Sequence, residues 1–287
     1  MSRFFTIGIF IVGLIHLLSS PDKCWAKPIP VFVSIVPQKY FVERIGGDHV
    51  KVEVMVKPGE SPATFNPNPK KMSLLSQAKL YFSIGVPFET IWINRIQSIH
   101  PNMQLVPLHT THKNSETGHD SHHSHSSRDP HIWTSPARVK VMAQKIKDTL
   151  SRIQPGQEKY FAANLQVFSN DLDALDRDIR AILSRNENRR FMVFHPAWSY
   201  FAKDYGLEQV SIEEEGKEPG PRMLQKIIQK GKRLGIKVIF VQKQFSLSIA
   251  ENIAKMIGAT VREIDPLAED YLENMRRTAK AISGALQ

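Results

Sequence analysis

Six of the chain's 11 histidines fall between residues 109 and 127: His109, His112, His119, His122, His123 and His125. Their neighbours are mainly Ser, Thr, Asn and Asp. Such a segment cannot pack a core, so it reads as a mobile loop. Imidazoles that are neutral at pH 7 suit Zn, Cu or Ni, and a loop without fixed spacing implies weak, adaptable capture. Three further residues stand apart from the loop. His131 sits in Asp129-Pro130-His131-Ile132-Trp133, His195 directly follows the apolar run 191–194, and Asp265 directly follows 260–264. Two imidazoles and one carboxylate form a donor set for a divalent transition metal such as Zn²⁺. Their separations of 64 and 70 residues define no motif. A histidine after a strand is more often a structural group than a ligand, so the set has meaning only if the fold gathers it.

The elements predicted around these residues can do so. Residues 31–36 read as a buried strand, 37–45 as a helix stopped by Gly46-Gly47, and 50–56 as a strand with Val at every second position. Residues 69–78 form a helix and 80–84 another strand. Strand and helix in alternation imply a parallel sheet covered by helices. Phe161, Leu165, Phe168, Leu172, Leu175, Ile179 and Ile182 then place one apolar stripe on a helix of about 30 residues, about 45 Å long. After it the alternation resumes: strands at 191–194, 210–212, 237–241 and 260–264, with helices at 196–205, 222–234, 247–257 and 267–286. Open parallel sheets bind ligands beyond the carboxyl ends of their strands. His195 and Asp265 therefore belong to one crevice. The predicted fold is α/β: two lobes with parallel sheets joined by one long rigid helix, with a metal cleft between them.

Composition narrows the class. The chain has 287 residues, 41% hydrophobic and 23% charged, with a formal charge of +10. These values exclude a disordered protein, and one Cys excludes an intrachain disulfide framework. The positive charge is read as dispersed over solvated helix faces. No Arg-rich arm interleaves with aromatics, so no nucleic-acid partner is expected. Residues 1–26 open with Arg3, continue through an apolar run at 4–18 and end in Cys24-Trp25-Ala26. That run is too short to span a bilayer and fits a signal peptide cleaved after Ala26. The expected organisation is a signal peptide at 1–26, an N-terminal lobe at 27–152 with its His-rich loop at 109–127, a linking helix at 153–186 and a C-terminal lobe at 187–287. The mature protein is then soluble, and periplasmic or otherwise extracytoplasmic.

From about residue 31 to residue 286 the chain resembles the periplasmic metal-binding receptors of ABC importers, the ZnuA-type zinc proteins and their manganese relatives. The resemblance is carried in order by Ser34-Ile35-Val36-Pro37, Val56-Lys57-Pro58-Gly59, Asp129-Pro130-His131-Ile132-Trp133, Phe194-His195-Pro196-Ala197-Trp198-Ser199-Tyr200-Phe201, Glu218-Pro219-Gly220-Pro221 and Ile264-Asp265-Pro266-Leu267-Ala268. It implies a metal held between two lobes by His131, His195 and Asp265. It also implies delivery to an ABC transporter membrane permease and, for a soluble receptor of this kind, a monomer. The His-rich loop, with His119, His122, His123 and His125, is typical of the zinc branch, where it would capture metal. The manganese branch usually carries Glu where His195 stands, and imidazole favours Zn over Mn. One position departs from the pattern. Ala63, in Ser61-Pro62-Ala63-Thr64, stands where the family usually has a ligand His. Three protein ligands would remain, with the fourth position left to water or a loop His, and affinity is expected to fall.

Other classes stay open at this point. A metal buffer or surface adhesin has the same sequence features as a receptor. A zinc hydrolase would need a general base that no HExxH or GxSxG motif supplies, so no enzyme is expected. No GxxxxGK[ST] loop is present, so ATP hydrolysis falls to another subunit. Glu213-Glu214-Glu215 beside Gly216 reads as a solvated turn, or as a weak attractor of metal.

Overall fold

The computed structural model describes residues 27–109, 129–213, 219–245 and 247–287. The expected signal peptide lies outside the described residues, as do His112, His119, His122, His123, His125, Glu214 and Glu215.

Two parallel sheets dominate. The first contains β1 (Ile29–Val33), β2 (Val50–Val54), β3 (Leu80–Ser83) and β4 (Gln104–Pro107) in the order β2-β1-β3-β4. Val31 is the register partner of both Val52 and Leu80. The second contains β5 (Arg190–Val193), β6 (Glu208–Ser211), β7 (Val238–Val241) and β8 (Thr260–Glu263) in the order β6-β5-β7-β8. Both sheets thus repeat one topology, and in each the strand order reverses between its two central strands. That reversal opens a crevice beyond the carboxyl ends. Central strands β3 and β7 are buried throughout. This accounts for their continuous apolar sequence, since parallel strands covered on both faces do not alternate.

The helices in chain order are α1 (Val36–Gly46), α2 (Pro69–Leu75), α3 (Pro87–Ile99), α4 (Pro136–Ile153), α5 (Glu158–Leu183), α6 (Ser199–Asp204), α7 (Pro221–Arg233), α8 (Leu247–Ile257) and α9 (Tyr271–Ala285). Expected boundaries shift by a few residues, most visibly at 267–286, where α9 starts only at Tyr271, and at 196–205, where α6 starts only at Ser199. The expected strand 31–36 ends at Val33 because α1 already begins at Val36, with Pro37 in its first turn. Elements α3, β4 and α4 were not anticipated. Helix α4 is capped by Ser135, whose Oγ accepts from Arg138 N at 3.2 Å. It stops at Ile153 because Pro155 has no N–H and restricts the residue before it. The long helix α5 has 26 residues, shorter than expected, and spans about 39 Å. Its buried stripe is Phe161, Phe168, Leu172, Leu175, Ile179 and Leu183, with Leu165 and Ile182 half-buried.

One hydrophobic core runs through both lobes. It joins the inner residues of β1 and β3 to α1, α4, α5 and α9, and continues into Phe191, Val193 and Phe240 of the second sheet and Trp198 at the start of α6. Strand β5 divides its side chains by parity: Phe191 and Val193 face this shared core, while Met192 and the following Phe194 face a second one with α7 and α8. The first lobe also buries a carboxylate. Glu89 Oε1 accepts from Ile84 N at 2.9 Å, Oε2 accepts from Gly85 N at 2.8 Å, and Ser34 Oγ donates to Oε1. Burial raises the Glu89 carboxyl above its ordinary value, against the pull of the Ser34, Ile84 and Gly85 hydrogen bonds. Glu89→Ala is expected to cost about 2–4 kcal/mol, because it orphans the Ile84 and Gly85 amides, leaves Ser34 Oγ with only Tyr81 OH at 2.8 Å, and opens a void. Urea unfolding measures it, and a loss under 1 kcal/mol would mean the network is dispensable.

Candidate metal centre

His131 lies in the turn that leads into α4, and His195 follows the carboxyl end of β5. The structure brings their imidazoles together across the lobes. The two Nε2 atoms are 3.3 Å apart, with ring centroids at 5.2 Å and planes at 76°. Each ring is held from behind. His131 Nδ1 is 2.6 Å from Asp129 Oδ1, and His195 Nδ1 is 2.6 Å from Glu213 Oε2. Carboxylates only accept, so each Nδ1 carries the proton and donates it. Both Nε2 atoms then present bare lone pairs to one another. Two acceptors at 3.3 Å form no hydrogen bond; they are satisfied by a shared electrophile. Donors at 2.0–2.1 Å from a tetrahedral ion subtend about 3.3–3.4 Å. The spacing fits a single zinc-sized ion.

The electrostatics agree. Burial holds the His131 imidazole below its usual value, against the pull of Asp129, so it is neutral and available as a donor at pH 7. Burial also pushes Asp129 up, but the hydrogen bonds from His131 and Ser199 outweigh it, and its carboxyl lies below the ordinary range. Two carboxylates behind two imidazoles raise ligand basicity and fix ring orientation. His195 is further fixed by the Phe245 ring, stacked at 5.0 Å and 21°, and by Gln242 Nε2, which donates to its carbonyl at 3.1 Å.

The turn carrying His131 is pinned to the second lobe. Trp133 Nε1 donates to Pro266 O at 2.7 Å, Tyr271 OH donates to Trp133 O at 2.9 Å, and Ser199 Oγ donates to Asp129 Oδ2. The Trp133 indole is buried, so the Asp-Pro-His-Ile-Trp sequence works as one unit in which Trp133 anchors, Asp129 orients and His131 presents its Nε2. Asp265 belongs to the segment that Trp133 holds, but its side chain has a different partner: Oδ1 accepts from Leu267 N at 2.8 Å. Among the described residues no three His, Cys, Asp or Glu side chains converge around one point. The histidine pair is therefore formed, while the Asp265 side chain is turned to its own Leu267 amide. Ala63 is exposed in the turn at 62–64.

Glu213 corrects the sequence reading. It is not a solvated turn residue: its side chain is 6% exposed and serves His195. Its sequence signal was position, since it lies two residues beyond β6, at the same sheet edge as His195. Glu213→Gln is expected to keep the fold and weaken metal binding about 10–100-fold. A chelator-competition titration checks this, and an unchanged affinity would remove Glu213 from the site.

The family model for "Zinc-uptake complex component A periplasmic" (ZnuA) matches residues 31–285. The chain belongs to the ZnuA family. Two ZnuA structures, each 37% identical, are similar throughout. The first covers 91% of this chain and 100% of its own, with a TM-score of 0.84. The second, a 138–173 deletion mutant with zinc bound, covers 90% and 98%, with a TM-score of 0.81. The zinc-binding protein AdcA of Streptococcus pyogenes serotype M3 is 26% identical over 88% of this chain and 55% of its own length. The chain thus spans about half the length of the AdcA relatives it matches. A putative metal-binding protein of Treponema pallidum is 26% identical over 96% of this chain and 93% of its own. Against that ZnuA background, the expected two-lobed α/β architecture is what the structure shows. No described helix is long and apolar enough to cross a membrane.

Proposed function

We propose that this protein is the extracytoplasmic receptor of an ABC zinc importer. It takes one Zn²⁺ onto His131 and His195, with Asp265 as third ligand, and passes the ion to a membrane permease. The observation that carries this reading is the pair of Nε2 atoms at 3.3 Å, each backed by its own carboxylate. The zinc named in the descriptions of AdcA and of the ZnuA deletion mutant supports the choice of metal. Imidazole donors favour it over Mn²⁺. Leu267 N holds Asp265 Oδ1, so Oδ2 is the oxygen left to offer the ion, and a cation at the imidazoles supplies the attraction that draws it in. Water takes the fourth position, because Ala63 has no donor atom. The histidines at 119, 122, 123 and 125 serve to capture metal. Within this reading, residues 1–26 are a cleaved address, 27–152 and 187–287 are the lobes, and 153–186 link them.

The test is a Zn²⁺ titration of residues 27–287 against a competing chelator, beside the same protein without residues 109–127. One tight equivalent that survives removal of the loop supports the receptor reading. Only weak, multiple binding that disappears with the loop would leave a metal buffer instead. Growth at low zinc, restored by the intact gene, separates a receptor from an adhesin. Zinc-dependent ester hydrolysis would point to an enzyme.

A further inference from the structure

The positive charge is not evenly dispersed, as the sequence reading had it. From residue 219 to residue 250 the chain carries Arg222, Lys226, Lys230, Lys232, Arg233, Lys237 and Lys243, and no acidic residue. Helix α7 collects most of them. Its inward side is Leu224, Ile227, Ile228 and Gly231, which pack in the second core and against Ile257 of α8. Arg222, Lys226, Lys230 and Arg233 follow one another at spacings of 4, 4 and 3 residues. At about 100° per residue they fall within about 80° of arc, opposite the inward side. All four are exposed. The described residues give none of them an ion pair, while Lys243 is paired with Glu263. The stripe runs the length of the helix, about 16 Å.

Lys230 and Arg233 suit the last turn of the helix, where the macrodipole favours cations, but the first half of the stripe works against it. Like charges at i, i+4 destabilise a helix, and Arg222 stands in the first turn, where the macrodipole already carries partial positive charge. An anionic partner would relieve both. We propose that the outer face of α7 docks the protein on an anionic lipid surface. The stripe has the form such a surface needs: a line of long cationic side chains, without an aromatic anchor on the helix to fill a pocket in a protein partner. The protein would then search for its permease along the bilayer rather than through the bulk. The proposal draws on the receptor reading only for an extracytoplasmic location, and zinc is not required for it.

The experiment is sedimentation of residues 27–287, which carry every described element, with vesicles of phosphatidylcholine alone or with 30% phosphatidylglycerol (about a third anionic headgroups). Each cation near such a surface is worth about fivefold in partitioning. Selective binding to the anionic vesicles is expected, falling steeply in 0.5 M salt as the charges are screened. Replacing all four residues (R222Q, K226Q, K230Q, R233Q) is expected to lower it by about 100-fold or more. A control of equal net charge (K51Q, K70Q, K159Q, R177Q) is expected to keep most of it. The pair K226Q and K230Q removes a like-charge contact, so it preserves the helix and still lowers binding by about 25-fold. Equal loss in the stripe and control proteins would reduce the effect to net charge and overturn the proposal. So would binding to both vesicle types alike. A stripe variant that binds vesicles normally but loses association with a detergent-solubilised permease would overturn it in favour of an acidic protein surface. Zinc titration of the same variants is expected to be unchanged, which keeps this test separate from that of the metal site.

Discussion

His195→Ala is expected to weaken zinc binding by about a thousandfold, or about 4 kcal/mol, while the chain stays folded. The substitution removes one of two facing donors and also frees Glu213, whose buried carboxylate loses the N–H it accepts from. The loss therefore exceeds the 10–100-fold expected when Glu213 is changed and the imidazole remains. His131→Ala should match it, because the two Nε2 atoms are equivalent partners at 3.3 Å. The double variant is expected to be little worse than either single one, since one imidazole alone cannot hold the ion tightly. Chelator competition on the three proteins provides the measurement. Full affinity in His195→Ala would place the ion elsewhere and sink the paired-imidazole site.

Phe168→Ala carries the largest expected structural effect. Phe168 is fully buried midway along α5. Its ring meets Tyr40 at 5.9 Å and Phe41 at 6.1 Å, and the Arg44 guanidinium lies 4.9 Å above it. Truncation of such a phenylalanine costs about 3–5 kcal/mol, with a further contribution of about 0.5–1 kcal/mol from the lost cation–π contact. Since one core continues from the first sheet through α5 into the second, both lobes are expected to lose stability together. Urea unfolding followed by single-tryptophan variants that retain Trp92 in the first lobe or Trp198 in the second reads this directly. Coincident transitions, both shifted, are the expected result. A shift confined to Trp92 would mean that the lobes unfold independently.

Much of this architecture was legible in the residues. The 4-and-3 spacing from Phe161 to Ile182 announced α5, and the apolar runs announced β3 and β7. Helix α4 was also written plainly, with Ser135 as cap, Pro136 in its first turn and Val139, Met142, Ile146 and Leu150 on one face. It lies directly after the Asp-Pro-His-Ile-Trp turn. Strand β4 was harder, because Gln104–Pro107 is only four residues long and half-exposed. At the site, His131 and His195 could be placed by their positions beside predicted elements. Their pairing could not, since it depends on how the lobes meet and on Trp133 reaching Pro266. Glu213 was hidden by its neighbours: in a run of three glutamates, composition says solvent, and only the fold shows that the first one turns inward.

The repeated β2-β1-β3-β4 order gives the molecule two crevices, and it furnishes them differently. The second opens onto His195. The first lies between the ends of β1 and β3, where Ser34, Ile84 and Gly85 stand ready to donate. Glu89, from the chain itself, already fills that place. The first lobe thus fills that place with its own carboxyl group, a side chain from α3 folded back over the strand ends. Two sheets of one topology are thus put to different use: the first closes its crevice with its own side chain and lends His131 from a neighbouring turn, while the second presents His195 directly at its edge.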